Sequence, residues 1–373
     1  MKNILHVAMA AAVLLTGLET HSADAKRKQR QRPKPVVSPT IHPDRSVTFR
    51  IKAPKATKVE VGGEFRQGRT ALEKGTNGIW SVTVDPVEPG IYGYSFHMNG
   101  QQTLDPGNRN LKPMRSPKTS ILHIPGGNPF DFDPKIPHGT VHYHVYHSKP
   151  INRIRELNVY TPPGYESSAG RKYPLLILQH GHSDSFATWV TYGKANLILD
   201  NLIAAGKSAP MIVAMLDGHP IPGSYGDGRS TANTEELRKD LMQQVIPMLE
   251  RNYRLQKGSR NRAIAGLSMG GLHALSIGLK HSKDFATIGA FSAAIPGDDF
   301  LSRALSKPKQ LNQDLELLWI AIGKKDFLLG ENRRLIPQLE VAGIAHEFLL
   351  TEGGHSWPIW RDYLSCFAPL LFK

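Results

Sequence analysis

The stretch Ala263-Ile264-Ala265-Gly266-Leu267-Ser268-Met269-Gly270-Gly271-Leu272-His273 joins three kinds of local chemistry. Ala263-Ile264-Ala265 is a short apolar run of the kind that fills a strand buried on both faces, and from Gly271 onward the apolar spacing is helical. Between them a Gly-x-Ser-x-Gly pattern surrounds Ser268. In a strand-to-helix turn this sharp, side chains two positions from the serine would meet neighbouring backbone, so Gly266 and Gly270 supply the missing bulk. The serine oxygen then projects above the sheet edge. The amide of Met269 falls at a helix N-terminus, where negative charge is favoured. This one stretch predicts a mostly parallel α/β sheet with a nucleophilic serine at a strand end.

Working outward, the same alternation of elements runs through the C-terminal two thirds of the 373 residues. Buried-type runs occur at Leu175 to Leu178, Met211 to Met215, Ile288 to Phe291 and Leu317 to Ile322. Helical patterns intervene at about Ala195 to Ala205, Glu235 to Tyr253, Gly271 to His281 and Asn332 to Ala342. Continuous apolar strands between amphipathic helices predict a sheet covered on both faces. Pro247 predicts a kink or restart within its helix.

A serine hydroxyl needs a base, and in this kind of sheet the acid and then the histidine follow the serine along the chain. His273 and His281 lie on the helix after the turn, and His346 belongs to a strand. His355 sits in Gly353-Gly354-His355-Ser356-Trp357, a glycine-rich loop after the last strand, and is the expected base. Asp326 ends the preceding strand and is the expected acid. Asp298 and Asp299 come one strand too early, and Glu352 is too close to His355 in sequence to orient its ring. The second oxyanion donor is expected from Gln179-His180-Gly181-His182-Ser183-Asp184, as the backbone amide of His182. Trp189, His219 and Trp357 are candidate substrate contacts, and Pro220 to Ser230, rich in glycine, proline and serine, is a candidate substrate loop. His142, His144 and His147 put two imidazoles on one strand face, yet no carboxylate or cysteine follows at ligand spacing. No metal or organic cofactor is expected.

The front of the chain has another rhythm. Lys2, an apolar run from Ile4 to Leu18 and Ala23-Asp24-Ala25 read as an export signal over residues 1–25, cleaved after Ala25, with a secreted or periplasmic product and no transmembrane span. Residues 26–36 form a basic linker. The formal charge is +14, and the six cations between Lys26 and Lys34 supply much of it, leaving +8 for the rest. Nucleic-acid binding is not expected of an exported chain without a reader motif. The single cysteine, Cys366, excludes an intramolecular disulfide. Residues 37–125 show short alternating strands punctuated by Gly62-Gly63, Pro89-Gly90 and Asn99-Gly100, as in a small β-sandwich. Residues 126–140 form a Gly/Pro-rich linker to a second domain at 141–373.

Two resemblances follow from these residues. Val47-Thr48-Phe49-Arg50, Ala53-Pro54, Val59-Glu60-Val61, Gly90 to Phe96 and Leu104-Asp105-Pro106 resemble the immunoglobulin-like early-set modules related to glycogen-binding domains, which precede carbohydrate-active catalytic domains. Gly266 to Gly271 with Phe285-Ala286 and Gly289 to Ser292, together with Val159 to Tyr165, His180-Gly181, Asp326 and Gly353 to Trp357, resembles the esterase D-like α/β-hydrolases. More narrowly it is similar to carbohydrate esterases of family one, which include feruloyl and acetyl-xylan esterases. The resemblance implies an α/β-hydrolase fold and two-step acyl transfer by Ser268, His355 and Asp326. Its implied substrate is an acylated polysaccharide or another ester, with glycan contact through the front module. Siderophore trilactone esterases share the arrangement and are the enzymatic rival. An inactive, glycan-binding hydrolase-like protein is the rival of another class.

Overall fold

The computed structural model describes residues 35–223 and 228–373. The expected export signal, nearly all of the basic linker and Ser224 to Asp227 of the candidate substrate loop lie outside the described residues.

The alternation in the front part builds two antiparallel sheets. One has the order β1 (Thr40–Ile41), β2 (Val47–Lys52), β6 (Ile79–Val84) and β5 (Glu73–Lys74). The other joins β4 (Arg66–Ala71), β3 (Val59–Gly63), β7 (Gly90–Met98) and β8 (Gln101–Thr103), with β9 (Ser120–Ile124) also paired to β7. The inward positions Val47, Phe49, Ile51, Val61, Tyr94, Phe96 and Leu122 meet in one core, as the two-residue period of a strand requires. Trp80 is buried with them and donates its indole N–H to the Ala53 carbonyl at 2.9 Å. The aromatics Trp80, Tyr94 and Phe96 therefore serve packing.

From Thr140 the chain forms one eight-stranded mixed sheet. Its order is β10 (Thr140–Ser148), β11 (Arg153–Thr161), β13 (Ile212–Leu216), β12 (Leu175–Gln179), β14 (Arg262–Leu267), β15 (Thr287–Phe291), β16 (Leu317–Gly323) and β17 (Glu347–Thr351). The pairings β10–β11 and β11–β13 are antiparallel and the rest parallel. Leu175 and Ile177 face one apolar layer and Leu176 and Leu178 the other. A strand buried on both faces is apolar at consecutive positions for this reason.

Helices α1 (Thr188–Thr191), α2 (Ala195–Ala204) and α9 (Trp357–Phe367) lie along the chain with α3 (Thr231–Asp240), α4 (Ile246–Asn252), α5 (Met269–Lys280), α6 (Asp298–Ala304), α7 (Pro308–Asp314) and α8 (Leu329–Ala342). Residues of α2 and α9 pack on one face of the sheet, and residues of α3, α4, α5 and α8 on the other. The long helix expected from Glu235 to Tyr253 is two helices. A π-helical turn at Leu241–Val245, with the Ile246 N–H bonded to the Leu241 carbonyl, joins them just before Pro247, which has no N–H to give. The architecture is an α/β-hydrolase fold preceded by an all-β immunoglobulin-like sandwich.

A buried cation ties the sandwich to the larger sheet's helices. Arg361 on α9 donates to the Tyr192 carbonyl at 3.1 and 3.2 Å and to the Ile91 carbonyl of β7 at 3.0 Å. The Tyr192 hydroxyl in turn donates to Glu64 of the sandwich. Arg361→Leu would bury both carbonyls without their charged donor. We expect the unfolding free energy to fall by about 2–4 kcal/mol in urea denaturation; a loss below about 0.5 kcal/mol would contradict this reading of the junction.

Candidate active site

Ser268 lies between β14 and α5 with φ 55° and ψ −116°, a conformation that a non-glycine residue rarely adopts. Close backbone contact surrounds it. A Cβ on Gly266 would stand 2.4 Å from the Gly270 carbonyl oxygen, and one on Gly270 would stand 2.6 Å from the carbonyl oxygens of both Gln179 and His180. No larger residue fits at either position without moving a strand. The turn is pinned further by the Ser268 N–H donating to the Phe291 carbonyl at 2.9 Å.

The side chains expected to act with Ser268 meet it. His355 Nε2 lies 2.9 Å from Ser268 Oγ, and its Nδ1 lies 2.9 and 3.0 Å from the two Asp326 oxygens. With the ring proton on Nδ1, His355 donates to Asp326 and accepts from the serine hydroxyl. The Leu328 N–H donates to Asp326 Oδ1 at 2.9 Å. Burial pushes the Asp326 carboxyl up, but the His355 and Leu328 hydrogen bonds outweigh it and hold the group below its ordinary value. The competing carboxylates are elsewhere: Asp298 and Asp299 open α6, and Glu352 pairs with Lys324 at the surface.

The Met269 amide is the first of α5, directly after the serine. Gly181 brings the loop expected to supply the second oxyanion donor alongside, since a Cβ there would stand 3.6 Å from the Ser268 Cβ. His182 follows in that loop. Its ring lies 5.7 Å from that of His219, which lies 5.5 Å from His180. His180 donates from Nδ1 to the Gly181 carbonyl at 2.7 Å and accepts the Gly218 N–H on Nε2 at 2.8 Å. His219 and His273 are pushed down to about 3, chiefly by burial and then by the other basic side chains around them, among them Arg115 for His219 and Arg155 for His273. His219 and His273 are therefore neutral near pH 7 and serve as packing groups beside this loop.

The tryptophans require a correction. Trp189 is 0 % exposed and Trp357 1 % exposed, so neither offers a wall to substrate. Trp189 spends its indole N–H on the Gln179 carbonyl at 3.0 Å, and its ring meets Trp357 at 4.9 Å. Their work is indirect, because Trp357 packs on Trp360 at 5.5 Å and Trp360 meets the edge of His355 at 4.9 Å. Two residues near the site escaped the sequence reading. Phe327, 75 % exposed, lies 4.4 Å from the His355 ring. Arg115, from the sandwich, reaches the ring of His182. Position directly after the acid was a signal for Phe327; nothing in the sequence pointed to Arg115. His142 hydrogen-bonds Thr161 and His144 bonds the Tyr253 hydroxyl. Among the described residues no group of three or more histidine, cysteine or acidic side chains is arranged to hold a metal ion, and no helix is long and apolar enough to cross a membrane.

The chain is similar to known proteins over both of its parts. Residues 148–366 match the family model described as putative esterase, and residues 37–112 match carbohydrate-binding module 48, the isoamylase N-terminal domain. An endo-1,4-beta-xylanase/feruloyl esterase of Xylanibacter ruminicola is 33 % identical over 344 residues, covering 90 % of this chain and 46 % of that protein. The chain spans about half the length of this and two other curated relatives. Among solved structures, a ferulic acid esterase is similar with a TM-score of 0.56 and 26 % identity, over 63 % of this chain and 98 % of that one. The enterobactin esterase of Shigella flexneri has a TM-score of 0.65 at 17 % identity, over 88 % of this chain and 92 % of its own.

The depressed Asp326 carboxyl carries a signed expectation for stability. A group whose folded pKa lies below its unfolded value stabilises the fold above the unfolded pKa, and this is lost as pH falls through the folded value. Asp326→Asn lacks that term. The wild-type advantage in unfolding free energy over Asp326→Asn should therefore shrink between about pH 5 and about pH 2. An advantage that grows toward acid in denaturant titrations would contradict the assignment.

Proposed function

The chain belongs to the putative-esterase family, and from that premise we propose that it is an exported serine carboxylic-ester hydrolase that removes feruloyl or acetyl groups from plant cell-wall polysaccharide. The observation that carries the reading is the hydrogen-bonded line from Ser268 through His355 to Asp326 at the strand ends. A hydroxyl, an imidazole and a buried carboxylate in that order are the parts of acyl transfer.

Ser268 Oγ attacks the ester carbonyl carbon as His355 Nε2 takes its proton. The carbonyl π electrons move to oxygen, and the amides of Met269 and His182 stabilise that oxyanion. Asp326 keeps the Nδ1–H tautomer and stabilises the imidazolium. Collapse breaks the bond to the alcohol, which leaves with the proton from His355, and an acyl group remains on Ser268. Water then attacks the acyl-enzyme with His355 again as base, releasing the acid and restoring the serine.

The acyl group follows from likeness to proteins named for feruloyl esters, and the polysaccharide from the front module's match to a carbohydrate-binding family. Export follows from the reading of residues 1–25. A second reading is a siderophore trilactone esterase, favoured by one observation: the enterobactin esterase shares the fold across 88 % of this chain, the sandwich included. A glycan-binding protein without turnover fits poorly with three catalytic-type side chains at hydrogen-bonding distance.

Purified protein and Ser268→Ala should be compared on methyl ferulate, acetylated xylan and a catecholate trilactone. The wild type is expected to prefer methyl ferulate or acetylated xylan, and the variant to lose about 10⁴-fold or more in kcat/KM. Preference for the trilactone would select the second reading. Wild-type rates in the variant would overturn the mechanism.

A further inference from the structure

The loop that carries the His182 amide is held from outside the hydrolase domain. Lys112 to Arg115, in the stretch between β8 and β9 of the sandwich, runs along it. Met114 and Asp184 form an antiparallel bridge, and the Arg115 N–H donates to the Ser183 carbonyl at 3.1 Å. The hydroxyls of Ser185 and Thr188 donate to the Pro113 carbonyl. Lys112 Nζ pairs with Asp184 Oδ1 at 2.9 Å, both side chains being nearly buried. The Asp184 N–H in turn donates to the Gly181 carbonyl at 3.1 Å and closes the turn around His182.

The Arg115 side chain completes the hold. Its Nη2 lies 3.2 Å from Nδ1 and 3.1 Å from Nε2 of His182. Those two nitrogens point to different sides of the ring, so one atom equally near both lies over the ring face. One guanidinium nitrogen thus meets the π face, a contact that a delocalised cation favours. Gly228 packs on the same side chain, where a Cβ would stand 3.1 Å from His182 Cδ2. His182 is thus held at its ring by Arg115 and Gly228 and, on either side in the chain, by the backbone bonds at Gly181 and Ser183.

Building on the role proposed above for His182, we propose that Lys112 and Arg115 of the sandwich are positioning residues that fix the oxyanion amide. The front module is then part of the esterase site and acts on small esters as well as on polymers. A role confined to holding glycan would leave turnover of a small soluble ester untouched.

The test uses the full chain with Arg115→Ala, Lys112→Ala, Lys112→Arg and, as a control on an exposed strand of the same module, Arg69→Ala. Two rates are read: kcat and KM on methyl ferulate, and labelling of Ser268 by a fluorophosphonate, which needs the oxyanion hole but no particular ester. Melting temperatures are measured alongside. Arg115→Ala and Lys112→Ala should lower kcat and labelling about tenfold or more with KM nearly unchanged. Lys112→Arg should recover most of the loss, and Arg69→Ala should match the wild type. Rates within twofold of wild type for both alanine variants would overturn the proposal, as would an equal loss in Arg69→Ala. If methyl ferulate is not cleaved but Ser268 is labelled, the substrate reading fails and the labelling rates still decide this one. A wild type that is not labelled overturns both.

Discussion

Three backbones meet around Ser268, and the site is built on that approach. Gly266 and Gly270 leave no room for a Cβ, and a Cβ on Gly271 would stand 2.5 Å from that of Ala293. The atoms crowding Gly270 are the carbonyls of Gln179 and His180, where β12 runs into the oxyanion loop. The close approach at Gly270, next but one to the positive-φ serine, therefore also sets how near Ser268 lies to the loop after β12. Strand order makes it available, because β12 lies between β13 and β14, the point where chain order across the sheet reverses and loops diverge.

Around that point the protein separates charge from neutrality. Asp326 is kept ionised by directed hydrogen bonds despite its burial, whereas His219 and His273 are kept neutral by theirs. His355 touches both the serine and a carboxylate. Trp357 and Trp360 hold that ring in place from the core. Rigid packing behind a reactive group costs no reorganisation when charge develops, which is the physical basis of oxyanion stabilisation.

What the sequence disclosed was local or periodic. The glycines around Ser268, the loop around His355 and the strand ending before Asp326 each sit in a stretch whose pattern has one physical reading. The two apolar faces of β12 were equally legible from four consecutive apolar residues. Exposure was harder, since a tryptophan beside a catalytic loop has the same sequence whether it faces water or core. Trp189 and Trp357 are candidate substrate contacts in the sequence for that reason, and the structure buries both. The Arg115 contact joins residues 67 positions apart, one from the stretch between β8 and β9 and one from the loop after β12. No periodicity carries that information.

The central claim is that Ser268 forms a covalent acyl intermediate. Rapid acid quench of the protein with an activated feruloyl ester, followed by peptide mass mapping, tests it directly. The account predicts a mass increase equal to the feruloyl group on the peptide containing Ser268, absent in Ser268→Ala. Ester turnover with no adduct on that peptide, or an adduct elsewhere, would contradict it.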